Sequence, residues 1–314
     1  MTQATHTATG IDLSGDRRRR RRESVVRGLF LAAGLLSVAI SLAIILSLIG
    51  EAWNFVKGLI DANDLGALWT VGWFPRRGLY DIPTIVIATI LISLVAMVVA
   101  VPLGLGAATY LSEYASPRAR RVLKPILEIL AGIPSVVLGY WALTFIGPDV
   151  VQRVFTSGGV FSMLSAGIAV GVLITPLVAA VSEDAMRAVP QSLREASYGL
   201  GANKATTVRK VVLPAAISGI TASLILAFSR ALGETMIVFM AAGAVGGSLR
   251  TFDVLGPGQT MTAAVASLAT GTDQVAGEGL AFQSLFFVGL LLFFFTLLLN
   301  WLSNRIVRRF REVY

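Results

Sequence analysis

The sequence predicts an all-α, polytopic membrane protein with about six transmembrane helices. Three observations carry that expectation. Only 14% of the 314 residues are charged while 55% are hydrophobic, whereas a soluble domain carries about 25% charged residues. Six apolar segments are each long enough to cross a hydrocarbon core of about 30 Å. None of them alternates apolar and polar residues as the strands of a membrane barrel do. Cysteine is absent and there is a single histidine, His6. Those absences exclude a disulfide framework, a thiolate metal site and a cysteine nucleophile; no metal, cofactor or catalytic residue is expected.

Residues 1–24 read as a basic, disordered tail that contains Arg17–Arg22. Arginines followed by an apolar run resemble a secretory signal, but Val25–Ile49 is longer than the roughly 7–15 residues of a signal core and is read as an uncleaved first span. The membrane domain then covers residues 25–310. Its further spans are Ile82–Tyr110, Val122–Ile146, Val160–Val181, Val211–Val245 and Phe282–Asn304. The fifth is longer than one crossing needs and holds Pro214 and Gly233, so a tilt or break is expected there. Pro134, within Gly132-Ile133-Pro134-Ser135, removes a backbone donor inside the third. Pro176 is expected to kink the fourth.

Of the 26 Lys and Arg residues, 20 fall in the tail, the loops after the second and fourth spans, and the C-terminal end. Five fall in the opposite loops, and Arg230 lies within the fifth span. Basic loops stay on the cytoplasmic side, so both termini are expected there. The net charge of +8 is therefore a topology signal, and no nucleic-acid partner is implied. On the outer side Trp53, Phe55, Trp69, Trp73 and Phe74 read as an interfacial aromatic belt, and Met261–Ala269 as a short helix in the last outer loop.

The loop of residues 183–210 is polar and holds Pro190, which rules out a span. Gln191–Leu200 reads as a short helix with Ser192 as its cap and Leu193, Ala196 and Leu200 on one apolar stripe. Gly201 offers a left-handed turn, and a second helix starts at Asn203 and runs into the membrane. Such an arrangement presents a rigid knob to a partner, or is a plain amphipathic loop. Its spacing is specific: Glu195-Ala196-Ser197, three residues, Gly201, nine residues, then Val211-Val212-Leu213-Pro214. This resembles the E-A-A-x3-G-x9-I-x-L-P signature of ABC-importer permeases, departing from it at Ser197 and Val211. The resemblance implies the type I ABC importer permease fold and a coupling helix, formed here by Glu195, Ala196, Ser197, Gly201, Leu213 and Pro214, seated in an ATPase subunit. The chain has no G-x-x-x-x-G-K-[ST] loop, so any ATP hydrolysis belongs to partners.

A charge embedded in a span is costly, about 2.5–3.5 kcal/mol on insertion scales, and so points to function. Arg230 and Glu234 are four apart and share a helical face, with Ser229 and Thr235 beside them. Two readings stand: the pair neutralises itself in hydrocarbon, or the planar guanidinium binds a tetrahedral oxyanion while the carboxylate accepts a hydrogen bond from a protonated anion such as hydrogen phosphate. Glu128 is read either as a further partner of Arg230 or as an interfacial residue near Lys124. Leu127–Leu143, Ser229–Val238 and Val101–Ala115 are similar to the phosphate ABC importer permeases of the PstC/PstA type. That resemblance implies a permease subunit importing phosphate across the inner membrane by alternating access. Its implied partners are the lipid bilayer, a second homologous permease subunit, two ATP-binding subunits and an extracytoplasmic phosphate-binding protein. Permeases for sulfate or molybdate share the docking loop and are the alternative. A stand-alone secondary carrier would explain the ion pair but not the loop, and no repeated halves are seen.

Overall fold

The computed structural model describes residues 17–156, 158–243, 247–270 and 279–309; His6 and the rest of residues 1–16 lie outside them. The chain divides into two compact units, residues 1–50 and 51–314. Helix α1 (Arg17–Asp61) starts within the stretch expected to be tail, and its residues up to Gly50 belong to the first unit. Its apolar side chains, Leu29, Phe30 and Leu35 among them, are exposed, as a helix solvated by lipid allows.

In the second unit a two-stranded antiparallel hairpin, β1 (Trp73–Phe74) and β2 (Leu79–Tyr80), precedes helix α2. Helix α2 (Ile82–Thr109) is prolonged by a π turn to Tyr114. Then follow α3 (Pro117–Ala131) and α4 (Ser135–Val154), α5 (Met163–Arg187), the short α6 (Gln191–Gly199), α7 (Lys204–Ala215), α8 (Ile217–Leu232), α9 (Met236–Ala241), α10 (Met261–Ala269) and α11 (Gly279–Arg309). Among the described residues four helices are long and apolar enough to cross a membrane, and up to six if each bent pair counts as one crossing.

The bends correct the third expected span and bear out the break expected in the fifth. Val122–Ile146 is not one rod: α3 and α4 meet at 86° across Gly132–Pro134. Pro134 has no N–H to donate, and its ring drives Ile133 out of the helical region. The fifth segment breaks twice, by 69° between α7 and α8, and again at Gly233, where α8 stops.

The centre of this unit is the α2–α5 pair. A side chain added at Gly167 would lie 2.5 Å from Val95, at Gly171 2.7 Å from Val99, and at Gly104 2.6 Å from Val178. The contacts advance together along both helices, so α2 and α5 run parallel, as two membrane helices separated by one antiparallel crossing must. Small residues let the backbones approach closely enough for dispersion to hold them where no hydrophobic effect acts. Ile92, Ala96, Val170, Ile174, Ala227 and Ile237 form the central core. Phe55, Trp73, Tyr80, Met261 and Val288 form a second core at the hairpin end. The aromatic belt is thereby split: Phe55 and Trp73 are buried in that core, and only Trp53 and Trp69 are exposed. A third core, with Ala108, Met186, Val212 and Ile220, lies at the opposite end, beneath the docking loop.

Candidate functional site

At the docking-loop end the chain leaves α5 and turns at Pro190, which precedes α6 with no side-chain cap; Ser192 lies within the helix. Glu195, Ala196, Tyr198 and Leu200 are exposed. The expected apolar stripe is corrected at Leu200, which is 90% exposed. The buried residue is instead Arg194. Its Nη1 donates to the Val189 carbonyl at 2.5 Å, and its Nη2 donates to the Met186 carbonyl at 2.8 Å and to Glu113 Oε1 at 2.9 Å. Glu113 comes from the π turn that ends α2, and its side chain is 6% exposed. One guanidinium therefore neutralises a buried carboxylate and binds two carbonyls at the end of α5, those of Val189 and of Met186, the latter shared with the Val189 amide. This turns α6 so that Leu200 faces outward.

The loop's other features follow the sequence expectation. Gly201 has φ of 80°, a conformation that costs a residue with a Cβ about 1–2 kcal/mol. Asn203 Oδ1 accepts from the Thr206 amide at 2.9 Å and starts α7. Ser197 and Thr207 hydroxyls share a hydrogen bond of 2.9 Å that ties α6 to α7. Leu213 packs against the core under the loop, and Pro214 is exposed.

Deep in the same unit, α8 ends at Leu232 and α9 begins at Met236. Arg230 and Glu234 flank that break, joined by an Nη1–Oε2 contact of 2.7 Å. Their exposures differ: the Glu234 side chain is 3% exposed and that of Arg230 is 48% exposed. Glu234 Oε1 accepts from the Ile237 amide at 3.5 Å, so the carboxylate helps to start α9. The Glu234 carbonyl accepts from Thr262 Oγ1 at 2.7 Å, which ties the break to α10. A guanidinium has five N–H donors, and the carboxylate engages Nη1 alone. Among the described residues no other hydrogen bond holds the Arg230 guanidinium, whose side chain is half exposed. Ser229 and Thr235 do not join this pair. Ser229 Oγ donates to Asn300 Oδ1 at 3.4 Å, and Thr235 Oγ1 to the Gly233 carbonyl at 3.3 Å. Glu128 lines a cavity with Lys124 and Glu183 and, among the described residues, forms no ion pair with Arg230.

The hairpin end is fastened by a third ion pair that the sequence did not announce. Asp81, fully buried before α2, accepts from the Gly72 amide at 3.2 Å, from Thr84 Oγ1, and from Arg250 through Nε at 3.1 Å and through Nη2. Burial raises the Asp81 pKa, but the hydrogen bonds from Arg250, Thr84 and Gly72 outweigh it and leave the net pKa below the usual carboxylate value. A depressed folded pKa stabilises the fold above the unfolded value, and that contribution is lost as pH falls through the folded one. The thermal midpoint should therefore hold on mild acidification and drop only below the ordinary Asp range. In Asp81→Asn the acid-dependent part of that drop should be missing, in scans of the solubilised protein at stepped pH.

The comparisons with known proteins agree with this architecture. Residues 100–312 match the family described as binding-protein-dependent transport system inner membrane component. A probable ABC transporter permease protein, YqgH, of Bacillus subtilis is 32% identical over 309 residues, covering 92% of this chain and 94% of its own. The phosphate transport system permease protein PstC 1 of Mycobacterium tuberculosis is 32% identical over 255 residues, covering 75% and 74%. Among solved structures, the bacterial alginate ABC transporter with its pentasaccharide-bound periplasmic protein superposes with a TM-score of 0.58 at 14% identity, over 91% of this chain and 96% of that one. The inward-facing MetNI methionine transporter gives 0.52 at 21% identity, over 76% and 97%. At such identities these two support the fold alone.

Proposed function

Because the chain belongs to the family of binding-protein-dependent transport system inner membrane components, and so is an ABC importer permease rather than an enzyme, we propose that the cargo it conducts is inorganic phosphate. The observation that carries this reading is the asymmetry of the Arg230–Glu234 pair. A half-exposed guanidinium with spare donors stands beside a buried carboxylate. An anion reaching Arg230 must tolerate that carboxylate. Hydrogen phosphate does so by donating its own proton to a carboxylate oxygen, whereas sulfate has no proton to offer and meets only repulsion. Relatives whose names specify phosphate transport permeases support the same choice. Arg230 and Glu234 form the site, with Ser229 and Thr235 on its wall.

The transport step is alternating access. Two ATP-binding partner subunits hydrolyse ATP and push on α6 through Glu195, Ala196, Ser197 and Gly201, while Leu213 and Pro214 pass the motion into α8. A second homologous permease completes the passage, and an extracytoplasmic phosphate-binding protein delivers the ion. Residues 1–24 form a cytoplasmic tail, residues 25–310 the permease domain in the inner membrane with its coupling loop at 183–210, and both termini are cytoplasmic.

The alternative is a permease for sulfate or molybdate, and competition separates the two. With the complete transporter in proteoliposomes, excess sulfate or molybdate should leave uptake of labelled phosphate unchanged, and arsenate, which carries the same proton, should suppress it. Suppression by sulfate would overturn the phosphate reading.

A further inference from the structure

Glu234 supplies half of the anion pair, yet no helix holds it. Helix α8 stops at Leu232 and α9 starts at Met236, so the backbone at Glu234 takes its direction from the groups that hydrogen-bond to it. The Glu234 amide donates to the Ala231 carbonyl at 3.1 Å, and its carboxylate engages Arg230 and the Ile237 amide. All of these lie within four residues of it and move with it. The Thr262 hydroxyl does not: it reaches the Glu234 carbonyl at 2.7 Å from α10, 28 positions along the chain.

That hydroxyl is fixed from several sides. Thr262 has one hydroxyl proton to give, and giving it to the Glu234 carbonyl leaves its oxygen to accept from Thr260 Oγ1, 3.0 Å away. Thr260 Oγ1 in turn accepts from the Ala263 amide at 3.2 Å. The Met261 amide donates to Thr89 Oγ1 of α2 at 3.0 Å, and Thr89 gives its own proton to the Ile85 carbonyl. All three threonines are buried. Ahead of α10 the chain is pinned as well. Ser248 and Trp73 exchange two backbone hydrogen bonds, and the Met163 and Leu164 amides that open α5 donate to the Gly256 and Val254 carbonyls. Thr262 thus stands at the inner end of a strap fastened to β1, α5 and α2. We propose that Thr262 is a positioning residue for the transported anion: by holding the Glu234 carbonyl it sets the direction of the neighbouring carboxylate and keeps it in register with the Arg230 guanidinium. This role rests on the reading of Arg230 and Glu234 as the anion site. A valine at position 262 has a similar outline but no donor. The buried Glu234 carbonyl would then lack a partner, or would turn toward another donor and carry the carboxylate with it.

The test is the rate of labelled phosphate uptake by the complete transporter in proteoliposomes, read beside its ATP hydrolysis. Thr262→Val should lower uptake roughly tenfold, the scale set by one unsatisfied buried acceptor, with basal ATP hydrolysis unchanged. Thr262→Ser keeps the donor and should restore most of the rate. In a Glu234→Gln background, itself impaired, Thr262→Val should cause no further loss, because it acts only through that carboxylate; independent effects would multiply. Normal uptake by Thr262→Val overturns the proposal. So does an equal loss in Thr262→Val and Thr262→Ser, which would mean that shape and not the donor decides. Losses that multiply in the Glu234→Gln background overturn it too. If Glu234→Gln itself transports at the wild-type rate, the anion-site reading has failed and this role falls with it. An impaired Glu234→Gln beside a normal Thr262→Val leaves that reading standing and removes this role alone.

Discussion

Replacing Arg230 with Gln should reduce phosphate uptake by roughly two to three orders of magnitude while the assembled transporter remains intact. The size follows from what the side chain offers. A bound oxyanion takes at least two charge-assisted hydrogen bonds from the guanidinium, each contributing about 1.5–3 kcal/mol, and each 1.4 kcal/mol is a factor of ten. Gln replaces one of those donors and none of the charge. One complication needs a second variant. Glu234 is buried, and removing its 2.7 Å partner leaves a carboxylate uncompensated, so a fall in stability would imitate a fall in transport. Arg230→Gln combined with Glu234→Gln removes both charges and should recover the thermal midpoint of the solubilised protein. Uptake should remain lost, because no fork is left to hold the anion. If the double variant transports at the normal rate, the pair is only a structural neutralisation within the membrane, which is the other reading its spacing allowed. Uptake of labelled phosphate into proteoliposomes, read beside the melting curve, decides between them.

The fold was legible where one physical rule dominates. Apolar length located the crossings, and lysine and arginine asymmetry gave a consistent expectation for their sides. Spacing alone exposed the helix–turn–helix form of the loop at residues 183–210, since Gly201 needs its positive φ and Asn203 its cap whatever surrounds them. The breaks at Pro134 and Gly233 were visible as residues, but their angles were not. A bend of 86° depends on what the two halves pack against, and that is long-range information. The same limit hid the three buried ion pairs. Arg194–Glu113, Asp81–Arg250 and Arg120–Glu183 join residues 81, 169 and 63 positions apart, so no local pattern links them. A signal did exist for one of them. Arg194 lies between Leu193 and the exposed Glu195, on a helix whose apolar stripe is broken, and a cation at that point needs acceptors. Hydropathy placed Leu200 on the apolar stripe because a hydropathy scale has no way to register a buried carboxylate and helix-end carbonyls contributed by distant parts of the chain.

Arg194→Ala is expected to disconnect ATP hydrolysis from transport more completely than any change on the exposed face of α6. On the proposed coupling the exposed residues would give the partner a surface, and Arg194 ties that surface to the membrane helices. It joins α6 to the end of α5 through two carbonyls and to the end of α2 through Glu113. Helices α2 and α5 are themselves locked together at Gly104, Gly167 and Gly171, so a push on α6 reaches both as one body. Removing the guanidinium leaves Glu113 and the Val189 carbonyl without the donor that holds them to α6. Breaking one partner of a buried pair costs roughly 3–5 kcal/mol, enough for α6 to detach from its seat while the three hydrophobic cores remain. The purified complex should then keep its basal ATPase activity and lose phosphate uptake at least tenfold. A double-mutant cycle gives the sharper reading. Arg194→Ala, Glu113→Ala and the pair of changes together should reveal a coupling of about 1–3 kcal/mol in thermal stability, the range for residues sharing one hydrogen-bond network. Transport should be equally low in all three variants. If Arg194→Ala transports normally, or if the two changes are additive, the lever does not run through this pair and the load must pass through the Ser197–Thr207 link to α7.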